Sequence, residues 1–249
     1  MKERILFIDI ENSPLISYTW GIWEQNVIKK IQDSFILCVA YKWLGDKDVQ
    51  VVAQRDFPNY KKDRANDREV LLKVWELLNE ADIVIAHNGK AFDLKKINSR
   101  FLVHKINPPS PYRVIDTLTI ARSKFKFDSN KLDALGETLD LGRKIEHEGF
   151  KLWEDCMAGN KKAWKKMIAY NKQDVALLED LYLEFRPWIS NHPNLNIINN
   201  RLSHCPTCQS SKLVSHGYSF SQSAKKRRYQ CNDCGSWSHG ENEKTLTIK

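Results

Sequence analysis

The chain has 249 residues, of which 42% are hydrophobic and 10% aromatic, enough to build a packed core and too many for an intrinsically disordered protein. Its formal net charge of +8 and pI near 9.1 favour a polyanionic partner. No apolar run approaches the ~20 residues of a membrane span, and the start turns acidic too early for a signal peptide, so we expect a cytoplasmic protein.

The order of the predicted elements indicates the fold class. Apolar runs predict buried strands, and apolar residues three or four apart predict helices. In chain order these patterns predict strands at 4–10, 34–44, 49–54, 83–86 and 114–117, and helices at 66–79, 91–104, 131–139 and 161–185. A short turn joins the second and third strands, so we expect a hairpin. Strands early and helices late predict an α/β fold with a mixed sheet flanked by helices.

A change of composition near residue 190 predicts a domain boundary. Residues 191–200 hold five asparagines and one proline and have little apolar periodicity, which is typical of a linker. We therefore expect a main domain at 1–190, a linker at 191–200 and a small module at 201–249.

Four separated acidic residues stand where a metal site would need them. Asp9 and Glu11 are two apart at the end of a strand, so both side chains share one face of the sheet. Asp93 follows a turn and opens a helix, where an acid also suits the helix dipole. Asp174 lies four residues after Tyr170 on a helix, so these two share a face.

Carboxylates are the oxygen ligands that Mg²⁺ and Mn²⁺ prefer. Two such ions about 3.5–4 Å apart can activate a water and stabilise the leaving oxygen of a phosphodiester. Each acid alone also has a structural explanation, as a polar strand end, a helix start or a polar border of a helix. The set of four favours a metal-dependent nuclease.

The combined motifs resemble those of a known superfamily. The motifs, in chain order, are Asp9-Ile10-Glu11, His87-Asn88-Gly89-Lys90-Ala91-Phe92-Asp93, Asp116-Thr117-Leu118 and Tyr170-Asn171-Lys172-Gln173-Asp174. In this order and spacing they resemble the DEDD 3′–5′ exonucleases, which share the ribonuclease H-like fold. The likeness is greatest to the tyrosine branch, related to the proofreading domain of family B DNA polymerases, although this chain lacks a polymerising domain.

The resemblance implies a role for each motif residue. Asp9 would bridge two Mg²⁺ or Mn²⁺ ions, and Glu11 and Asp174 would help to hold the ion that binds the attacking water. Asp93 would hold or orient the second ion, and Tyr170 would position the water by hydrogen bonding. It also implies a nucleic-acid substrate, with DNA favoured over RNA.

Several residues near the motifs have alternative interpretations. Asn88 and Phe92 are candidate nucleic-acid contacts, whereas His87 is more readily explained by the turn. Asp116 is expected to be structural, binding a backbone group or a helix start. The aromatic residues of the segment after the first motif, which are Tyr18, Trp20 and Trp23, are either strand anchors that stack on bases or parts of a packed core.

Four of the six cysteines form two C-x-x-C pairs. Cys205 and Cys208 are separated by 22 residues from Cys231 and Cys234, close to the spacing of a zinc ribbon. Four thiolates complete a tetrahedral shell, so we expect one structural zinc ion. A redox dithiol would need a thioredoxin-like context that is absent.

The cysteine module carries most of the positive charge. Residues 195–249 contribute +5 of the net +8. The run Lys225, Lys226, Arg227 and Arg228 predicts contacts with nucleic-acid phosphates. Nearby aromatic residues would stack on bases or form a small core, and binding of a replication or repair protein is an open alternative.

The leading hypothesis is therefore a 3′–5′ exonuclease with a zinc ribbon that assists substrate binding, from a phage or a bacterium. A structure-specific or single-strand endonuclease with the same site is one alternative. A catalytically silent nucleic-acid-binding adaptor is another.

Overall fold

A computed structural model describes residues 3–23, 26–143, 145 and 148–243. The strands are β1 (Ile5–Asn12), β2 (Ile16–Tyr18), β3 (Lys29–Gln32), β4 (Ile36–Trp43), β5 (Gln50–Ala53), β6 (Ile83–Ala86), β7 (Arg113–Asp116), β8 (Leu213–Phe220), β9 (Lys225–Cys231) and β10 (Trp237–Glu243). The helices are α1 (Arg68–Glu80), α2 (Asp93–Val103), α3 (Thr117–Lys124), α4 (Leu132–Thr138), α5 (Lys151–Met157), α6 (Lys161–Phe185) and α7 (Leu195–Asn199). None of the helices in this part of the chain is both long enough and apolar enough to cross a membrane.

The main sheet is mixed, as the order of elements predicts. Its five strands lie in the order β5-β4-β1-β6-β7, with β1 at the centre. β4 is antiparallel to β1, and β5 to β4, so the predicted hairpin is confirmed. β6 and β7 run parallel to β1 and to each other, each reached through a helix.

The alternation of side chains along β1 separates two of the three apolar clusters of the main domain. Leu6, Ile8 and Ile10 pack with the apolar faces of α1 and α2. Ile5 and Phe7 point to the other face, into a core shared with α3, α4 and α6. Because a strand has a period of two, Asp9 and Glu11 continue the face that α6 covers.

Several short elements were not predicted from the sequence. β2 and β3 form an antiparallel pair in the segment that follows β1, α5 precedes the long helix α6, and α7 lies inside the predicted linker. The exposed fractions of Tyr18, Trp20 and Trp23 are 60%, 89% and 78%, so these aromatics do not form a packed core. That exposure leaves the strand-anchor interpretation open.

The carboxyl-terminal module is a three-stranded antiparallel sheet, ordered β10-β9-β8, beside the cysteine pairs. Among residues 201–241 the buried side chains are Cys205, Thr207, Cys231 and Ser236. This described stretch therefore has no apolar core, and the cysteine cluster lies where a core would be.

Helix α7 connects the module to the main domain. Leu195 is buried in the core that α6 covers, and its backbone N–H donates to the Pro206 carbonyl at 2.7 Å. The Asn196 amide donates to the His204 carbonyl at 2.8 Å. Residues 191–200 therefore contain ordered and buried structure, while the boundaries at 190 and 200 stay predictions.

Candidate active site and cysteine cluster

Three of the four predicted carboxylates converge. One oxygen each of Asp9, Glu11 and Asp174 lies within 4.8 Å of the others. Glu11 and Asp174 are buried, at 9% and 2% exposure, and Asp9 is half-buried. Strand β1 supplies the first two acids and α6 supplies the third, so the site lies where the central strand meets the long helix.

Small residues on the neighbouring strand leave room for this meeting. In the antiparallel register Asp9 lies opposite Ala40, and Glu11 lies opposite Cys38. Both neighbours are fully buried on the face that α6 covers. A larger side chain at either position would compete for space with the polar face of the helix, because protein cores are close-packed.

Asn171 is a site residue that sequence reasoning missed. It is fully buried, and its Nδ2 donates to Asp9 Oδ2 at 2.7 Å. The Cys38 thiol donates to Asn171 Oδ1 at 3.6 Å, which fixes the orientation of the amide. Burial first and the nearby charge of Glu11 second raise the pKa of Cys38 well above its usual value, so this thiol stays protonated. The signal in the sequence was a polar residue three before Asp174, on the same helix face.

Replacing Asn171 by Ala should weaken metal binding without removing a ligand. Asp9 would lose the amide that holds its carboxylate, and losses of 10–100-fold in metal affinity or activity are typical when such a supporting partner is removed. We expect the Mn²⁺ concentration for half-maximal activity to rise by about that factor. Lys172→Ala, an exposed neighbour on the same helix, is the matched control. An unchanged Mn²⁺ midpoint would show that Asn171 only fills space.

Asp93 lies behind the three converging acids and is not one of them. Its Oδ1 accepts the Ile10 backbone N–H at 3.2 Å, between the two acids of β1. Burial raises the pKa of Asp93 to about 6, opposed by the hydrogen bond from Ile10 and aided by the charge of Asp116. Its expected role toward a second ion stays a prediction.

Asp116 organises the turn that leads to Asp93. Its carboxylate accepts the backbone N–H groups of Asn88 and Lys90, each at 3.0 Å, and caps α3 through Leu118 and Thr119. This is the structural role expected from the sequence. Asn88 takes a left-handed conformation with a φ of 65°, which asparagine tolerates better than most residues.

His87 ties the same turn to two later segments. Its Nδ1 lies 2.8 Å from Thr117 Oγ1, and its Nε2 lies 3.0 Å from the Asn130 carbonyl. A carbonyl can only accept, so Nε2 carries a proton. These contacts agree with the turn role that was preferred for His87.

Gly89 leaves the turn no spare room. A Cβ at this position would lie 2.3 Å from the Cβ of Ala86, inside the contact distance of two carbons. Gly89→Ala should therefore lower the free energy of unfolding by about 1–3 kcal/mol, as overpacked cores do, and should displace Asp93. Adding Ala86→Gly removes the clashing atom, so the double variant should be more stable than Gly89→Ala in a denaturant titration. A double variant that is less stable would contradict this account.

A cleft of about 650 Å³ opens beside the acids. Asp9 lies in its wall together with His87 and Asn88. Arg122 and Lys131 bring positive charge to the wall, and Asp128 and Asp133 bring negative charge. Tyr170 is half-buried and packs edge-on against Trp153, with ring centroids 6.3 Å apart. Phe92, the other predicted contact from the second motif, is 52% exposed.

The four cysteines of the two C-x-x-C pairs form a second cluster. Their sulfurs lie within 4.8 Å of one another, with 3.7 Å between Cys205 and Cys234 and 3.6 Å between Cys208 and Cys231. A disulfide would need about 2.05 Å. A tetrahedral zinc ion with Zn–S bonds of about 2.3 Å separates its sulfurs by about 3.8 Å, so the cluster has the dimensions of such a site.

The predicted phosphate contacts lie on both faces of the module, because β9 alternates its side chains. Lys225 and Arg227 surround Tyr218: the ammonium lies 3.9 Å from the ring centroid, and the guanidinium donates to the hydroxyl at 2.8 Å. On the other face Arg228 lies 5.6 Å from the Trp237 ring centroid. Lys226 shares the Arg228 face by the period of the strand.

A family model described as RNase_H superfamily, RNase_H_2, matches residues 6–185. This span covers β1 to α6 and includes each of the converging acids. The chain therefore belongs to the RNase_H superfamily, and the ribonuclease H-like fold expected from the motifs is confirmed.

Among solved structures, the chain is similar to the family B DNA polymerase from the hyperthermophilic archaeon Pyrobaculum calidifontis. The TM-score is 0.56 at 14% sequence identity, over 76% of this chain and 25% of the polymerase. This chain thus spans about a quarter of the length of that protein, and the likeness is one of fold. No curated protein matches the sequence.

Proposed function

We propose that this protein is a divalent-metal-dependent nuclease, and specifically a 3′–5′ exonuclease of DNA. The observation that carries the proposal is the convergence of Asp9, Glu11 and Asp174 within 4.8 Å in a chain of the RNase_H superfamily. Exonuclease action and the preference for DNA rest on the motif resemblance. The fold similarity to a DNA polymerase agrees with them.

The donor set fits hard divalent cations. All three groups offer oxygen, the ligand atom that Mg²⁺ and Mn²⁺ prefer. Three carboxylates this close repel one another unless positive charge lies between them. Asp9, Glu11 and Asp174 would hold the ions, with Asp93 toward a second one. Bound ions would supply an activated water and would neutralise charge on the leaving oxygen.

The chain's own residues position these groups. Asn171 holds Asp9 in place, because its amide donates a hydrogen bond to Asp9 Oδ2 at 2.7 Å. Tyr170, one turn before Asp174 on α6, would orient the attacking water by a hydrogen bond. With a usual pKa near 10, a tyrosine is a poor base at neutral pH, so its role is positioning.

The cleft beside the acids suits a strand end. Arg122 and Lys131 would contact phosphates, and Asn88 in the cleft wall and the exposed Phe92 of the same motif are candidate contacts for the terminal nucleotide. The exposed aromatics Trp20 and Trp23, on the β2–β3 segment that follows β1, are available to stack on bases.

The cysteine cluster is proposed to hold one structural zinc ion. With zinc bound, β9 would present Lys225, Lys226, Arg227 and Arg228 to nucleic-acid phosphates, and Tyr218 and Trp237 beside them would contact bases. Binding of a replication or repair protein by the same module stays a hypothesis, as do the cytoplasmic location and the phage or bacterial origin.

The proposal is tested by following both ends of a labelled strand. Single-stranded DNA and RNA, labelled at the 3′ or the 5′ end, are incubated with the protein and Mg²⁺ or Mn²⁺. We expect early release of labelled mononucleotides from 3′-labelled DNA and a shortening ladder from 5′-labelled DNA. If internal fragments appear instead, the protein is an endonuclease that uses the same acids. Binding without any cleavage would favour the non-catalytic adaptor.

A further inference from the structure

A second cleft, of about 630 Å³, lies along β7, the edge strand of the main sheet. Residues of β7 and α3 line it, together with the segment 189–193 that leads toward the cysteine module. Lys90, Arg113 and Lys124 are part of its lining, and all three are exposed.

The cleft is positively charged. Within the described residues, no carboxylate forms an ion pair with any of these three cations, and Lys124 instead donates to Ser190 Oγ at 3.2 Å. The acid in the lining, Asp116, is buried and already accepts four backbone N–H groups. Cations around a concave surface reinforce one another's potential and attract anions.

The spacing of the cations fits a chain of charges better than a single anion. Arg113 begins β7, whereas Lys90 is tied by its backbone to Asp116 at the other end of that strand. Three residue steps of about 3.3 Å separate the two ends, roughly 10 Å. Successive phosphates of a strand can contact both ends without the two side chains having to converge on one anion.

This cleft adjoins the cleft beside the acids. The two share the 87–90 turn and α3 as a common wall: Asn88 and Arg122 line the first cleft, and Lys90 and Lys124 line the second. A strand whose end lies near Asp9 can therefore cross the turn into the second cleft.

We propose that the β7 cleft binds the phosphate backbone of a single-stranded nucleic acid, upstream of the nucleotide being removed. The inference rests on the proposed function and adds a second binding surface to it. Thr119 and Ser190 in the lining supply hydroxyl donors for phosphate oxygens beside the three cations.

The test removes two of the cations and measures binding in EDTA, where no cleavage interferes. Arg113→Gln with Lys124→Gln is compared with wild type for a fluorescent 20-nucleotide DNA between 50 and 200 mM salt. Each lost phosphate contact lowers the slope of log K against log salt by about 0.7. The same relation gives about a fivefold loss of affinity per contact at 0.1 M salt, hence roughly 25-fold for the pair.

A matched control carries the same change of charge elsewhere. Lys47→Gln with Lys73→Gln alters the β4–β5 turn and α1, which line neither of the two clefts, and should keep the wild-type slope. A dinucleotide used as competitor should bind wild type and the Arg113/Lys124 variant equally. An unchanged slope, an effect as large in the control, or an equal loss for the dinucleotide would overturn the inference alone. Absence of any binding by wild type in EDTA would also overturn the inference, whereas the proposed function is tested separately by metal-dependent cleavage.

Discussion

Asp9→Asn should abolish cleavage while the protein still folds and binds DNA. The substitution keeps the shape of the side chain but removes its negative charge. Asp9 is one of the three acids whose oxygens converge, together with Glu11 and Asp174. Stabilisation of the reaction by metal ions amounts to several kcal/mol, and each 1.36 kcal/mol is tenfold in rate, so we expect a loss of at least ~10³-fold. Single-turnover cleavage with saturating Mg²⁺ measures it.

The control for Asp9→Asn is an acid of the same type away from the site. Asp48→Asn lies in the exposed turn between β4 and β5 and should keep full activity. The unfolding midpoint of Asp9→Asn should be equal to or above that of wild type without metal, because one of three crowded negative charges is removed. Retained cleavage by Asp9→Asn would show that these acids do not catalyse the reaction.

Replacing Cys205 and Cys208 by Ser should unfold the cysteine module. Its described part buries no apolar side chain besides cysteine, so a bound metal would take the place of a core. Zinc binding contributes about 10–16 kcal/mol in small zinc domains, far more than such a sheet gains by itself. We expect zinc, near one ion per chain in wild type, to fall to the background in elemental analysis. Limited proteolysis should then cut within 213–243.

Asn232→Ser provides the control within the module, because Asn232 lies between Cys231 and Cys234 and is exposed. It should retain zinc and resist the protease. DNA binding by the double cysteine variant should weaken and lose part of its salt dependence, because β9 no longer presents its cations. A variant with unchanged zinc content would refute the zinc assignment.

The sequence predicted the main sheet well because its strands are strong local signals. β1, β4 and β6 are continuous apolar runs. A short turn between two strands predicts antiparallel pairing, and a helix between them allows parallel pairing. The shorter elements were missed: β2 has three residues and α7 has five, too few for a period to appear. Their stability comes from pairing and packing rather than from local sequence.

For the candidate site, too, some residues were predicted from the sequence and others were not. The spacing of Asp9 and Glu11 predicted their shared face, and the resemblance to the DEDD motifs implied that Asp174 would join them. Asn171 was not found, since a buried amide is recognised only when its partner on another element, here Asp9 on β1, is known. The clefts along α3 likewise depend on segments that are distant in sequence.

The most direct test of the account is whether purified protein hydrolyses a DNA strand only when a divalent ion and the acid triad are both present. Wild type and Asp174→Asn are incubated with single-stranded DNA in Mg²⁺, in Mn²⁺ and in EDTA, and released nucleotides are quantified. The account predicts release by wild type with either ion, none in EDTA, and a loss of at least ~10³-fold for the variant. Equal release by wild type in EDTA, or by Asp174→Asn with metal, would contradict it.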